Sequence, residues 1–211
     1  MNVLVVLGHP KPGSFNHAIA EAAVATLRAG GHEVTFHDLY QERFDPVLPA
    51  AEIRAGAELP PAIAEHCRAL AACDGIVIVH PNWWGQPPAI LKGWVDRVVR
   101  AGVAYRFDEG DAGEGVPIPL LRARAALILN TTDTPLEREH AEFGDPLESI
   151  WKNCILRYCG VGTVVRRTYG VVVTSTPEAR RRWLDDPVAQ VRALVPGRAG
   201  AASALSARRS G

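Results

Sequence analysis

Three short stretches of this sequence carry side chains of the types that could grip a flat, anionic ligand. The first is Gly8 to Asn16, GHPKPGSFN, with an imidazole at His9, a hydroxyl at Ser14, a ring at Phe15 and a carboxamide at Asn16. The second is Pro81 to Gln86, PNWWGQ, with the amide of Asn82 and the indoles of Trp83 and Trp84, whose faces can lie against a planar ligand. Gly85 in that stretch lets backbone come close. The third is Asn130 to Pro135, NTTDTP, where Asn130, Thr131 and Thr132 offer an amide and hydroxyls to polar ring edges. Together they suggest non-covalent binding of a ligand with one charged end and one planar end.

Apolar runs precede each stretch. Val3 to Leu7, Ile76 to Val79 and Ala125 to Leu129 are aliphatic without polar alternation, the pattern of strands buried on both faces. Glu33 to Asp38 and Thr163 to Val173 complete a predicted set of five. Helical patterns lie between them: Ala18 to Ala29, stopped by Gly30-Gly31; Pro60 to Ala72; a segment opening at Pro87-Pro88; Pro146 to Tyr158; and Pro177 to Leu194. In the third of these, Ile90, Leu91, Trp94, Val95, Val98 and Val99 share a face. Lys92, Asp96, Arg97 and Arg100 take the other, with Asp96 and Arg100 spaced as an ion pair. Strands alternating with helices predict an α/β doubly wound parallel sheet with helices on both faces. Ligands bind outside the carboxyl ends of such strands, where the three stretches stand.

The first stretch ends at a helix start, where free N–H groups and the positive dipole end attract anions, and Ser14 or Asn16 could cap it. It has neither GxGxxG nor GxxxxGK[ST], so a plain capped helix stands as the alternative. For Trp83 and Trp84 the alternative is a plug over the sheet edge.

Composition narrows the class. The chain has 211 residues, 47% of them hydrophobic, which suits one domain over residues 1–195. Lys+Arg and Asp+Glu are both 23, so no basic excess points to nucleic acid. Cys67, Cys73, Cys154 and Cys159 form no CxxC pair and read as reduced core residues of a cytoplasmic protein. No apolar run is long enough for a membrane span, and no signal peptide is read at the start. Residues 196–211, small and arginine-bearing, are expected to be a disordered tail. His32 and His37 read as isolated strand-edge or exposed groups, and Asp108, Glu109, Asp111 and Glu114 lack the EF-hand register, so no metal is expected. Tyr40 is a candidate support for the first loop.

Residues His80 to Phe107 also carry a resemblance. Pro81, the Trp83-Trp84 pair, Pro88 through Trp94 (PAILKGW), Asp96-Arg97-Val98 and Ala104-Tyr105 follow the pattern of the flavodoxin-like NAD(P)H:quinone reductases. Asp38-Leu39-Tyr40, Phe44 and Pro46 match a structural motif of that family, and His9, Ser14, Phe15 and Asn16 resemble its flavin-phosphate loop. The resemblance implies strand order 2-1-3-4-5, non-covalent FAD or FMN, NAD(P)H as co-substrate and two-electron ping-pong reduction of a quinone-like acceptor. His9, Ser14, Phe15 and Asn16 would hold the flavin's phosphate end, and Pro81 to Gly85 and Asn130 to Thr132 its ring. Backbone N–H groups about Trp84 and Gly85 would stabilise the reduced ring. Tyr105 and Phe107 would line the substrate pocket of the partner in a homodimer. Thr132-Asp133-Thr134 stands where the family has Thr-Gly-Gly, and no Tyr follows before Trp151, which leaves His140 as the candidate for a charge-stabilising role near the ring. The alternative is an electron carrier, or a redox-reporting subunit of a partner such as a potassium-efflux system. A near-neutral charge argues modestly against the carrier.

Overall fold

Aliphatic runs with no polar alternation need cover on both faces, and they have it. Val3 to Leu7 and Ile76 to Val79 are each at most 2% exposed. A computed structural model describes residues 1–54, 56–108, 110–111 and 114–195. The expected tail, 196–211, and Glu109 lie outside the described residues.

The chain runs β1 (Asn2–Leu7), α1 (Phe15–Ala29), β2 (Glu33–Asp38), a 3-10 turn (Ala50–Glu52), α2 (Pro61–Ala72), β3 (Gly75–Pro81) and α3 (Ala89–Val98). It continues through β4 (Tyr105–Arg106), β5 (Ile118–Pro119), β6 (Ala125–Thr131), α4 (Leu136–Phe143), α5 (Pro146–Ser149), a π-helical segment (Ile150–Arg157), β7 (Thr163–Tyr169) and α6 (Pro177–Leu194). Five parallel strands form one sheet in the order β2-β1-β3-β6-β7. The expected numbering 2-1-3-4-5 is corrected by β4 and β5, which pair antiparallel as a separate two-stranded ribbon. Strands of two residues carry no readable period, so the ribbon left no mark in the sequence.

Two apolar clusters line the two faces of the sheet. Leu4, Val6, Ile76 and Ile78 pack with α2 and α3 residues, while Val3, Val5, Leu7, Val77 and Val79 pack with α1 and α6. Successive strand residues point to opposite faces, which produces this division. The expected helix from Pro146 to Tyr158 is one turn of α-helix followed by π-helix, and the fifth sheet strand ends at Tyr169, not Val173.

The polar face of α3 also departs from expectation. Arg97 is 3% exposed and forks onto Glu52, with Nε to Oε2 at 3.0 Å and Nη2 to Oε1 at 2.5 Å. The loop through Pro46 lies so close that a side chain at Gly93 would collide with it. Lys92 pairs with Asp96, while Arg100 donates to the carbonyl of Glu52, so the Asp96–Arg100 pair does not form.

Candidate active site

β1, β3 and β6 are neighbours, so their carboxyl ends open side by side, and the three loops that follow meet there. They enclose a cavity of about 680 Å³. His9, Ser14, Phe15 and Asn16 line it from the first loop, Pro81 to Gly85 from the second, and Thr131 and Thr132 from the third.

Ser14 is the N-cap of α1, in extended backbone, with its Oγ accepting from the His17 N–H at 3.4 Å. The N–H groups of Phe15 and Asn16, at the positive dipole end of α1, have no partner within the helix, and both residues line the cavity. Asn16 is 3% exposed; its Nδ2 donates to Thr131 Oγ1 at 2.9 Å, while its Oδ1 has no partner. His9 Nδ1 accepts from the Lys11 N–H at 3.1 Å, so the neutral ring carries its proton on Nε2. Burial pushes the His9 pKa down, favouring that neutral donor. The Ser14 Oγ also meets His17 Nδ1 at 2.8 Å, and His17 Nε2 meets Asp38 Oδ2 at 3.1 Å. Asp38 Oδ1 accepts the N–H groups of Tyr40 and Gln41. Asp38, rather than Tyr40, therefore braces the loop; Tyr40 packs against the opposite core cluster.

In the second loop Trp83 and Gln86 exchange both backbone hydrogen bonds at 3.0 Å around Trp84 (φ 57°) and Gly85 (φ 69°). Positive φ at both central residues is the mark of a type I′ turn. A Cβ at Gly85 would come within 2.7 Å of Pro146 Cγ, so glycine is required there twice over. Trp84 carries a large side chain in the left-handed region, a strained choice, and is fully exposed. Trp83 is 42% exposed, so the two indoles do not plug the sheet edge. The N–H groups of Trp84 and Gly85 donate to no acceptor within the described structure. Below the turn, His80 is fully buried: its Nδ1 donates to Pro81 O at 2.8 Å and its Nε2 accepts from Trp151 Nε1 at 2.9 Å. Burial pushes its pKa down to about 4, which keeps the ring neutral and the Pro81 carbonyl fixed.

The third loop replaces glycine flexibility with side-chain ties. Thr132 Oγ1 accepts from the Thr134 N–H, and Asp133 Oδ1 accepts from the Val173 N–H at 2.8 Å. Both residues still line the cavity.

Four expected residues lie elsewhere. Asn130 is fully buried, with its Oδ1 accepting from Arg166 and Thr168, so it braces β6 against β7 and does not reach the cavity. Its partner Arg166 has a side chain only 9% exposed and ties Asp145, Glu148 and Asn130 together. His140 points outward, with its side chain 65% exposed and 4.0 Å from Asp145. Tyr105 and Phe107 stack edge to face beside Tyr158, outside this cavity. The sequence reading missed Arg138, Glu139, Phe143 and Arg180, all in the cavity wall. Glu139 is 5% exposed and accepts from Asn82 Nδ2 at 3.0 Å, which leaves Asn82 Oδ1 buried and unpartnered.

A second titratable group corrects the view of His37 as isolated. His37, Glu42 and His66 present ligand atoms within 4.8 Å of one another. Trp94 Nε1, which can only donate, meets His66 Nδ1 at 3.2 Å. The neutral His66 ring therefore carries its proton on Nε2, which meets Glu42 Oε2 at 3.3 Å, while His37 Nδ1 meets Oε1 at 2.9 Å. A metal on His66 Nε2 would require a proton on Nδ1, where the indole N–H already points. The arrangement fits a hydrogen-bonded set better than a ligand sphere. His32 and His37 are buried, not exposed, and of the cysteines only Cys154 is exposed.

Against known proteins, the family model for a flavodoxin-like fold matches residues 1–193. An uncharacterized NAD(P)H oxidoreductase of Haemophilus influenzae is 30% identical over 190 residues, covering 88% of this chain and 91% of its own length. NAD(P)H dehydrogenase [quinone] 1 of Rattus norvegicus is 30% identical over 212 residues, covering 86% of this chain and 73% of its own. Among solved structures, an NAD(P)H:quinone oxidoreductase from Methanothermobacter marburgensis superposes with a TM-score of 0.80 at 27% identity, covering 91% of this chain and 98% of that one.

Proposed function

This chain belongs to the flavodoxin-like fold family, and from that premise we propose that it is a flavin-dependent NAD(P)H:quinone reductase. The observation that carries the reading is one cavity in which a helix N-terminus, an exposed indole turn and two buried unpartnered acceptors, Asn16 Oδ1 and Asn82 Oδ1, come together. Orphaned buried acceptors cost stability unless a ligand's donors meet them. A flavin offers ring N–H and ribityl O–H donors, a planar ring and an anionic end, so the residues present fit it. The bound flavin would accept a hydride from reduced nicotinamide and deliver it to the acceptor.

The protein's own work is to hold, orient and neutralise. Ser14, Asn16 and the free N–H groups of α1 would hold the phosphate end, with His9 donating through Nε2. Asn82, clamped by Glu139, would present its Oδ1 to a donor on the ring. The free N–H groups of Trp84 and Gly85 would stabilise negative charge on the ring, as an oxyanion hole does. Nicotinamide and quinone would use one open face in turn, which gives ping-pong kinetics. The Tyr105–Phe107–Tyr158 cluster on the β4–β5 side, half-buried at Tyr105 and Phe107 and exposed at Tyr158, suits a two-fold dimer, in which each ribbon would close the partner's cavity.

With purified protein, rates against NAD(P)H at several quinone concentrations should give parallel double-reciprocal lines, and Trp84→Ala should slow both half-reactions. Intersecting lines, or slowing of one half-reaction alone, would point to separate sites. Light scattering at micromolar concentration should report a dimer; a fully active monomer would remove the shared-pocket element.

A further inference from the structure

The flavin reading leaves one arrangement at the cavity unexplained: the chain Ser14–His17–Asp38. We infer that His17 is a positioning residue that couples phosphate binding to the uptake of a proton, by turning the Ser14 hydroxyl toward or away from the anion. This rests on the proposed flavin site.

The direction of each bond follows from what each group can do. A carboxylate only accepts, so His17 Nε2, 3.1 Å from Asp38 Oδ2, carries a proton. In the neutral ring Nδ1 is then a lone pair. Ser14 Oγ, 2.8 Å away, must give it the hydroxyl proton. The serine then presents only lone pairs to the cavity, the wrong sign for a phosphate. When His17 is charged, Nδ1 is also a donor. The Ser14 oxygen accepts from it, and the hydroxyl proton is free to point at the anion. One proton on His17 thus changes Ser14 from acceptor to donor and adds a positive charge behind it, without moving a heavy atom.

His17 does not line the cavity, so it acts through Ser14. Its charged and titratable neighbours are Asp38 from β2 and, from the β1–α1 loop, His9, with ring centroids 6.0 Å apart; Lys11 of that loop lines the cavity and acts on His9. Glu21 lies one turn further along α1, and Arg180 of α6 lines the cavity. Of these His9 is the group to separate by experiment, because it too lies against the phosphate end.

Asp38 supplies the decisive variant. Its Oδ1 already accepts two backbone N–H groups, so in Asp38→Asn the amide oxygen stays there and the NH₂ replaces Oδ2. That NH₂ donates to His17 Nε2. The neutral ring must then carry its proton on Nδ1, and the Ser14 hydroxyl is turned toward the anion with no proton taken up.

The experiment is calorimetric titration of the apoprotein with riboflavin 5′-phosphate, FAD and unphosphorylated riboflavin, in buffers of different ionisation enthalpy between pH 6 and 8. Differences between wild type and variants cancel the phosphate's own proton. Wild type should take up more protons than His17→Gln with a phosphorylated flavin, the excess being at most one, and no more with riboflavin. His17→Gln should bind the phosphorylated flavin about tenfold more weakly at pH 6, the worth of one hydrogen bond to an anion, and lose the steeper affinity toward low pH. Asp38→Asn should lose the extra proton yet bind at pH 8 at least as tightly as wild type. His9→Gln should keep the extra proton. Uptake that persists in His17→Gln, or disappears only in His9→Gln, overturns the inference while leaving the flavin site standing. Failure of all three flavins to bind wild type overturns the site itself.

Discussion

His37 and Asp38 are consecutive on β2, yet they serve two unlike assemblies on opposite faces of the sheet. Asp38 faces α1 and ends a chain through His17 to Ser14, at the open cavity. His37 faces α2 and joins Glu42, His66 and Trp94. Both assemblies couple imidazole to carboxylate. They differ in the last group. A serine hydroxyl can donate or accept, so a proton on His17 has somewhere to be read. An indole N–H can only donate, so the Trp94 end is locked in one state. The same pair of residue types makes a responsive element on one face and a structural tie on the other.

The largest effects should separate the two faces. Asp38→Ala removes the acceptor of His17 and of two backbone N–H groups. It should weaken retention of a phosphorylated flavin more than tenfold and lower stability by about 2–3 kcal/mol. His37→Ala should cost about 1–2 kcal/mol in denaturant unfolding and leave flavin affinity within twofold of wild type. Equal loss of flavin binding in both variants would mean that the faces are coupled.

A smaller effect sharpens the account of the locked side. Trp94→Phe leaves His66 Nδ1 without its donor and should destabilise by about 1–2 kcal/mol without altering flavin binding. Zinc should not raise the wild-type unfolding midpoint. A rise of several degrees would show that the Trp94 bond yields to a metal.

The smallest effect is a pH dependence. Burial pushes the Glu42 carboxyl up, but hydrogen bonds from His37 and His66 outweigh it and hold the pKa at about 2 against an ordinary 4.5. A depressed folded pKa means that the stabilisation is complete above 4.5 and is lost as the pH falls toward 2. With the Glu42 side chain 35% exposed and screened, about 1 kcal/mol is expected. The stability difference between wild type and Glu42→Gln should shrink by that amount over this window, and a difference that grows toward low pH would contradict the assignment.

Much of the scaffold was legible because period and composition are local properties. The buried runs at Val3 and Ile76, and the aromatic turn at Trp83, need no distant partner to be read. What was hidden depends on residues far apart in sequence. His17 matters because of Asp38, twenty-one positions on, although Ser14 and His17 sit at the spacing of a capping box and could have been noticed. Arg97 looked solvated because its cover comes from the Pro46–Glu52 loop. Glu139, in the polar run LEREHAEF, gains its place only when α4 folds over Asn82. Its neighbour His140, the more chemically suggestive type, is turned to solvent.

The central claim is that the cavity at the ends of β1, β3 and β6 holds a flavin that nicotinamide and acceptor use in turn. Its most direct test is anaerobic and optical, on protein loaded with FAD or riboflavin 5′-phosphate. Addition of NADH or NADPH should bleach the flavin in proportion to the nicotinamide oxidised, and a small quinone added afterwards, without oxygen, should restore the colour. Protein that takes up neither flavin, or bound flavin that neither nicotinamide bleaches, would contradict the account.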